Sequence, residues 1–198
     1  MNVCPLAFLA LALSAYAQTT GGNECTWMGG SNELNQSGVY GVQGAPAAAN
    51  LPGARSAALI WTDRKGNVWL FGGNGYGAIG VQGVLNDLWK FTTTANQWTW
   101  VSGSSSTGQL GVYGTLDTPS ASNVPGARTG AVGWTDKDDN LWLVGGNGED
   151  SAGLQGDLND VWEFSPANGE WVPPLMCRGH LNGIPARSEG TSRTIGTR

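Results

Sequence analysis

All ten tryptophans of this 198-residue chain fall into five pairs, and every pair is 73 residues apart. The pairs are Trp27/Trp100, Trp61/Trp134, Trp69/Trp142, Trp89/Trp162 and Trp98/Trp171. Scattered aromatics do not keep one spacing; a duplicated structural unit does. Between Trp27 and Trp98 the chain matches its copy without a gap, and about half the positions are identical. A fixed period of this size signals stacked units that bury their faces against one another.

Composition agrees with strands rather than helices. Glycine is abundant, at 32 residues, and no stretch after the first 17 residues carries a helical apolar stripe. Tight turns and aromatic or β-branched runs suit short strands. The net charge of -5 argues against a nucleic-acid surface. Residues 1–17 read as a signal peptide: an apolar run from Pro5 to Leu13, then Ala15-Tyr16-Ala17. That run is too short to span a membrane, so a secreted protein, extracellular or periplasmic and without membrane attachment, is expected. Secretion leaves Cys25 and Cys177, which either pair with each other, stay free or pair between chains. Asn35-Gln36-Ser37 is a glycosylation sequon in a host that glycosylates.

One copy of the unit reads as four strand signals. They are Ser56 to Trp61, Asn67 to Gly73, Leu85 to Phe91 and Gln97 to Val101. The glycine pair Gly72-Gly73 is expected to end the second strand, with a glycine-rich loop from Asn74 to Val84. A long loop from Ser102 to Val124 completes the unit. The second copy has strands at about Thr129–Trp134, Asn140–Gly145, Leu158–Phe164 and Glu170–Val172. Four short strands joined by turns form the antiparallel sheet of a propeller blade.

These residues resemble the kelch motif. Gly-Gly follows the second strand, Asn-Asp-hydrophobic-Trp opens the third, and an Arg precedes the first. The longer unit, with Trp-Thr-Trp-Val, Gly-Val-Tyr-Gly and Pro-Gly-Ala-Arg, is similar to secreted bacterial-type kelch proteins of the galactose oxidase central-domain superfamily. The resemblance covers roughly Trp27 to Val172. It implies an all-β, incomplete kelch-type β-propeller: two four-stranded antiparallel blades plus one stray N-terminal strand. The expected division is 1–17 signal peptide, 18–51 strand and loop of a preceding blade, 52–124 first blade, 125–174 second blade and 175–198 degenerate tail. Two blades cannot close a ring, because propellers need four or more. A truncated product, a gene fragment, or several chains completing one ring is therefore expected, with self-association through exposed blade faces.

Chemistry is harder to find than architecture. Copper chemistry of the galactose oxidase kind uses two histidines, and this chain has one, His180. No cofactor and no metal are expected, and no catalytic residue is assigned. Asp136, Asp138 and Asn140 alternate as calcium ligands do, but the first copy has Lys65 in the middle place, so a hairpin turn is the better reading. The resemblance implies that Arg55 and Arg128 make buried polar contacts between blades, with a substrate carboxylate as the alternative. Asn86-Asp87 and Asn159-Asp160 read as backbone-bonding turn residues. The tryptophans read as packing residues. Loop residues are the better ligand candidates: Tyr40, Asn74, Tyr76, Tyr113, Asn147 and Glu149. The leading expectation is a non-enzymatic interaction module that binds protein or glycan through these loops. The resemblance also admits a sugar epimerase or mutarotase like the kelch sialate mutarotases, and a non-functional gene remnant is the third reading.

Overall fold

The computed structural model describes residues 28–172, and residues from Glu33 onward belong to one compact unit. The signal peptide, most of the stray N-terminal strand, Cys25, Cys177, His180 and the tail lie outside the described residues. Among the described residues no helix is long and apolar enough to cross a membrane.

The protein is all-β. Its strands are β1 (Arg55–Ser56), β2 (Leu59–Thr62), β3 (Val68–Tyr76), β4 (Gln82–Thr92) and β5 (Gln97–Ser102), then β6 (Arg128–Thr129), β7 (Val132–Thr135), β8 (Leu141–Glu149), β9 (Gln155–Ser165) and β10 (Glu170–Val172). They form two antiparallel sheets with the same plan. In the first, β1 and β2 both pair with β3, followed by β4 and β5. In the second, β6 and β7 both pair with β8, followed by β9 and β10. The two sheets do not close into a barrel; they are two blades of an incomplete β-propeller.

The first strand of each blade is broken in two, and the glycine pair opposite explains why. Gly73 has φ 96°, and a Cβ there would sit 2.7 Å from the carbonyl of Ser56 and 3.0 Å from the amide of Ala58. The break between β1 and β2 therefore wraps around a residue that has no side chain. The pair does not end the strand, as its composition suggests. It forms a bulge, with the β3–β4 register shifting between Phe71 and Gly73, and pairing resumes as far as Tyr76. Glycine at positive φ supplies such a bulge without steric cost. The second blade repeats it between Val144 and Gly146.

One core is shared by both blades. Leu59, Trp61, Trp69, Phe71 and Leu88 from the first pack with Leu141, Leu143, Trp162, Phe164 and Trp171 from the second. Aromatic contacts cross the boundary: Trp69 meets Phe164 at 5.9 Å, and Phe71 meets Trp171 edge-on at 5.4 Å. The Trp61 indole donates to the Trp142 carbonyl at 2.9 Å. Strand alternation assigns the faces. In β2, Leu59 and Trp61 point into this core while Ile60 and Thr62 point away.

The two copies differ in what covers them. Leu85 and Asn86 are buried, yet their counterparts Leu158 and Asn159 are half-buried and exposed. The same contrast governs Gly72 and Gly145, which share φ values of 61° and 62°. A Cβ on Gly72 would strike the Arg128 carbonyl of the second blade at 2.6 Å as well as the Leu85 carbonyl. A Cβ on Gly145 would meet only its own blade, at Leu158. Gly72→Ala is thus expected to cost more than the roughly 1–2 kcal/mol of left-handed strain that both alanine variants share. Urea midpoints of the two variants, compared with wild type, check the ordering.

Candidate functional site

Each blade holds a buried four-residue polar cluster, and the two clusters are built alike. In the first, Arg55 clamps Asp87 with two parallel hydrogen bonds, Nη1 to Oδ1 at 2.6 Å and Nη2 to Oδ2 at 2.8 Å. Asp87 Oδ2 also accepts the Tyr40 hydroxyl at 2.6 Å and the Trp89 indole at 2.7 Å. Arg55 donates further to the carbonyls of Gly53 and Gly72. The second cluster joins Arg128, Asp160, Tyr113 and Trp162, with Arg128 also donating to Gly126 and Gly145. A charged pair withdrawn from water requires this degree of hydrogen-bond satisfaction.

The clusters explain the long loop of the repeat. Tyr113 belongs to the loop that leaves the first blade, and Asp160 lies 47 residues on, in the second. Asn123, from the same loop, donates to the carbonyl of Trp171 on β10 at 3.0 Å. Val112 and Val124 bridge within the loop, and Ser120 bridges to Trp171. The loop from 38 to 51 does the same to the first blade, through Tyr40 on Asp87 and Asn50 on the Trp98 carbonyl. The extra length of the repeat is therefore a strap that fastens each blade's preceding loop to its outer strand.

These contacts correct several expectations. Tyr40 is buried and Tyr113 half-buried, and both hydroxyls are held by aspartates, so neither is a free loop ligand. Asn74 and Tyr76 lie on β3, and Asn147 and Glu149 on β8, because the strands run through the glycine pairs. Asn74 is exposed; the Tyr76 hydroxyl faces Gln82 Oε1 at 3.4 Å, and Asn147 donates to Asp157 at 2.9 Å. Asn35 is exposed with φ 60°. Both arginine side chains are buried and spend four hydrogen bonds each within their own blades, not between blades as expected, and neither guanidinium is exposed to a substrate carboxylate. Asn86 does bond backbone, at Ser104 and Pro125, but Asp87 binds side chains instead.

The Asp63 and Asp136 turns are hairpin organisers. Asp136 Oδ1 accepts the amides of Asp138 and Asn140, and Oδ2 accepts Asn140 Nδ2 and the Trp142 indole. Asp63 holds Lys65, Asn67 and Trp69 in the same way. Its carboxylate therefore faces N–H donors, the opposite of what a cation site needs.

Burial pushes the Asp160 carboxyl up, but the hydrogen bond and charge of Arg128 outweigh it and hold it below the usual range. Asp63 and Asp136 are lowered too, hydrogen bonds overcoming burial. Burial, reinforced by Asp160, pushes the Tyr113 hydroxyl up to about 12. The signs fix the stability profile. A lowered carboxyl contributes stability that is present above its unfolded pKa of about 4 and lost as pH falls through the folded value. A raised tyrosine contributes stability that is present below about 10 and lost as pH rises through the folded value. The urea midpoint is expected to be flat through neutrality and to fall on both sides. A midpoint that held steady well below pH 4 would contradict the acid limb.

A shallow groove of about 280 Å³ lies where the loops meet. Its lining includes Gln43, Ser102, Ser104, Gln109, Leu110 and Ser122, with Asn86 and Asn123 beneath. Among the described residues no charged side chain lines it, and none of the six sequence-derived candidates does. Its residues come from separate segments. Several have identical counterparts one repeat away, among them Asn86/Asn159, Ser104/Ser31, Gln109/Gln36 and Asn123/Asn50, whereas Gln43, Leu110 and Ser122 do not.

No protein-family model matches this chain, and no curated protein matches it. Among solved structures, it is similar to YjhT. That match has 18% sequence identity and a TM-score of 0.45, over 64% of this chain and 38% of the YjhT chain. The chain thus spans well under half the length of that structure.

Proposed function

We propose that this chain is a secreted, non-enzymatic interaction module of the kelch type that binds a neutral glycan in the groove between its loops. The observation that carries this reading is the division of polar groups. Arg55, Arg128, Asp87, Asp160, Tyr40 and Tyr113 are tied up in the two clusters, while the groove offers amides, hydroxyls and the apolar side chains of Leu110, Val112, Ala121 and Val124. Uncharged donors and acceptors beside an apolar side chain suit a polyhydroxylated ligand, and phosphate or sulfate would find no cation there. An epimerase or mutarotase needs a group that titrates beside its substrate, and no such side chain lines this groove.

A glycan array carrying neutral and sulfated oligosaccharides tests the proposal, followed by calorimetry on the neutral hits. Ala121→Trp, at an exposed lining position, fills the groove and is expected to weaken binding at least tenfold while leaving the urea midpoint unchanged. Binding of sulfated glycans alone, or neutral binding that Ala121→Trp leaves intact, would overturn it.

A further inference from the structure

We infer that the open face of the second blade docks onto the open face of the first blade of another copy of this chain, head to tail. The boundary inside the molecule is the template. There, the face carrying Leu59, Trp61, Trp69, Phe71 and Leu88 meets the face carrying Leu141, Leu143, Trp162, Phe164 and Trp171. Shifted by one repeat, the first face recurs on the second blade as Val132, Trp134, Trp142, Val144 and Val161. The second recurs on the first blade as Val68, Leu70, Trp89, Phe91 and Trp98. Among the described residues, one chain therefore carries an uncovered example of each half of a contact it already makes.

Exposure marks the two halves. Val132 is 65% and Trp134 49% exposed, although their counterparts Leu59 and Trp61 are buried. Trp134 lies stacked on Trp142, with ring centroids 5.5 Å apart. On the first blade Val68, Leu70, Phe91 and Trp98 are half-buried, and Ile60 is 59% exposed. Apolar surface of this extent is a mark of an interaction site.

Side-chain volumes complement one another across the proposed contact. At the internal boundary Gly133 leaves room for the first blade, and a Cβ there would come within 2.7 Å of Trp61 Nε1 and 3.1 Å of Leu59 Cδ2. The position matching Gly133 on the first blade is Ile60, which is larger. The face it would meet is smaller at three places: valine stands at 132, 144 and 161 where the internal face has Leu59, Phe71 and Leu88. Ile60 thus falls opposite a face that has lost volume. Hydrogen bonding also carries over. Trp134 is the counterpart of Trp61, and in the proposed contact it would donate to the Trp69 carbonyl of the second copy, as Trp61 does to Trp142. The ion pair at the edge of the internal boundary, Arg64 with Asp139, does not carry over, because the matching positions hold Lys137 and Gly66. The association is accordingly apolar and insensitive to salt. A head-to-tail contact of this kind either closes into a ring or grows as a filament.

Sedimentation velocity of the full chain over a wide concentration range tests this. Wild type is expected to associate with rising concentration, equally in low and high salt. Trp134→Glu and Ile60→Glu, both at exposed positions, are each expected to weaken association at least tenfold. The mixture is the sharper experiment. Trp134→Glu keeps an intact first-blade face and Ile60→Glu an intact second-blade face, so equimolar mixing should restore one contact and stop at a dimer. Circular dichroism of each variant confirms that it is folded. Wild type that stays monomeric throughout, including by covering these faces with its own residues outside 28–172, would overturn the inference. So would a variant that associates like wild type, or a mixture that remains monomeric. Groove binding is read separately by calorimetry, so either proposal can fail alone.

Discussion

Replacing Asp87 by alanine is expected to destabilise the protein by about 3–5 kcal/mol, because it leaves a buried charge without its partner. Asp87 is fully buried, and the Arg55 side chain is only 5% exposed. The same substitution orphans the Tyr40 hydroxyl and the Trp89 indole, which both bond to Asp87 Oδ2. An unsatisfied buried donor costs about 1–3 kcal/mol on its own. Removing both charges is a different experiment. Arg55→Met with Asp87→Leu fills similar volume without a stranded ion, so the ionic part of the lost stability is expected to return, while the Tyr40 hydroxyl and the Trp89 indole stay without their acceptor. Urea unfolding of the single and double variants gives both numbers. If Asp87→Ala unfolded at the wild-type midpoint, the cluster would contribute nothing to holding strap to blade.

Trp61→Ala is expected to cost about 3–5 kcal/mol, the range for deleting a large aromatic from a core. Trp134→Ala, the same residue one repeat later, is expected to cost only about 1 kcal/mol, mainly its stack on Trp142. Trp61 is 3% exposed and lies between the blades, whereas Trp134 is 49% exposed on the outer face of the second blade. Measured at concentrations too dilute for association, the two variants compare matching positions of the repeat, one covered by a neighbouring blade and one not. Equal costs would mean that the blades do not cover one another as described.

The two-blade architecture was legible because its signals are local and occur twice. Alternation around Trp61 and Trp69, turns at Asp63 and Asp136, and a tryptophan on each outer strand all repeat at 73 residues. The glycine pairs were misread for a physical reason. Gly-Gly-Asn-Gly has the composition of a turn, and only the chain crossing at Ser56 to Ala58 shows that it is a bulge. The loop positions of Tyr40 and Tyr113 suggest solvent, while their recurrence at the period suits structure as much as binding. Their aspartates lie 47 residues away, and a period shows which residues recur but not which recurring residues meet. Tyr, Arg, Asp and Trp recur together in both copies, so the members of the cluster were visible even though their contact was not. The period does not single out the groove. Ser104 and Gln109 recur as Ser31 and Gln36, but Gln43 and Ser122 have no matching counterparts, and only the folded loops bring the four together.

Urea unfolding of dilute protein, followed in parallel by tryptophan fluorescence and far-ultraviolet circular dichroism, tests whether the two copies bury one shared core and therefore fold as one unit. Each blade supplies half of the buried cluster, so neither half remains covered once the other opens. The expected result is a single transition with coincident midpoints from both probes. Two resolved transitions, or midpoints that separate between the probes, would show that the blades are stable independently and would contradict the shared core.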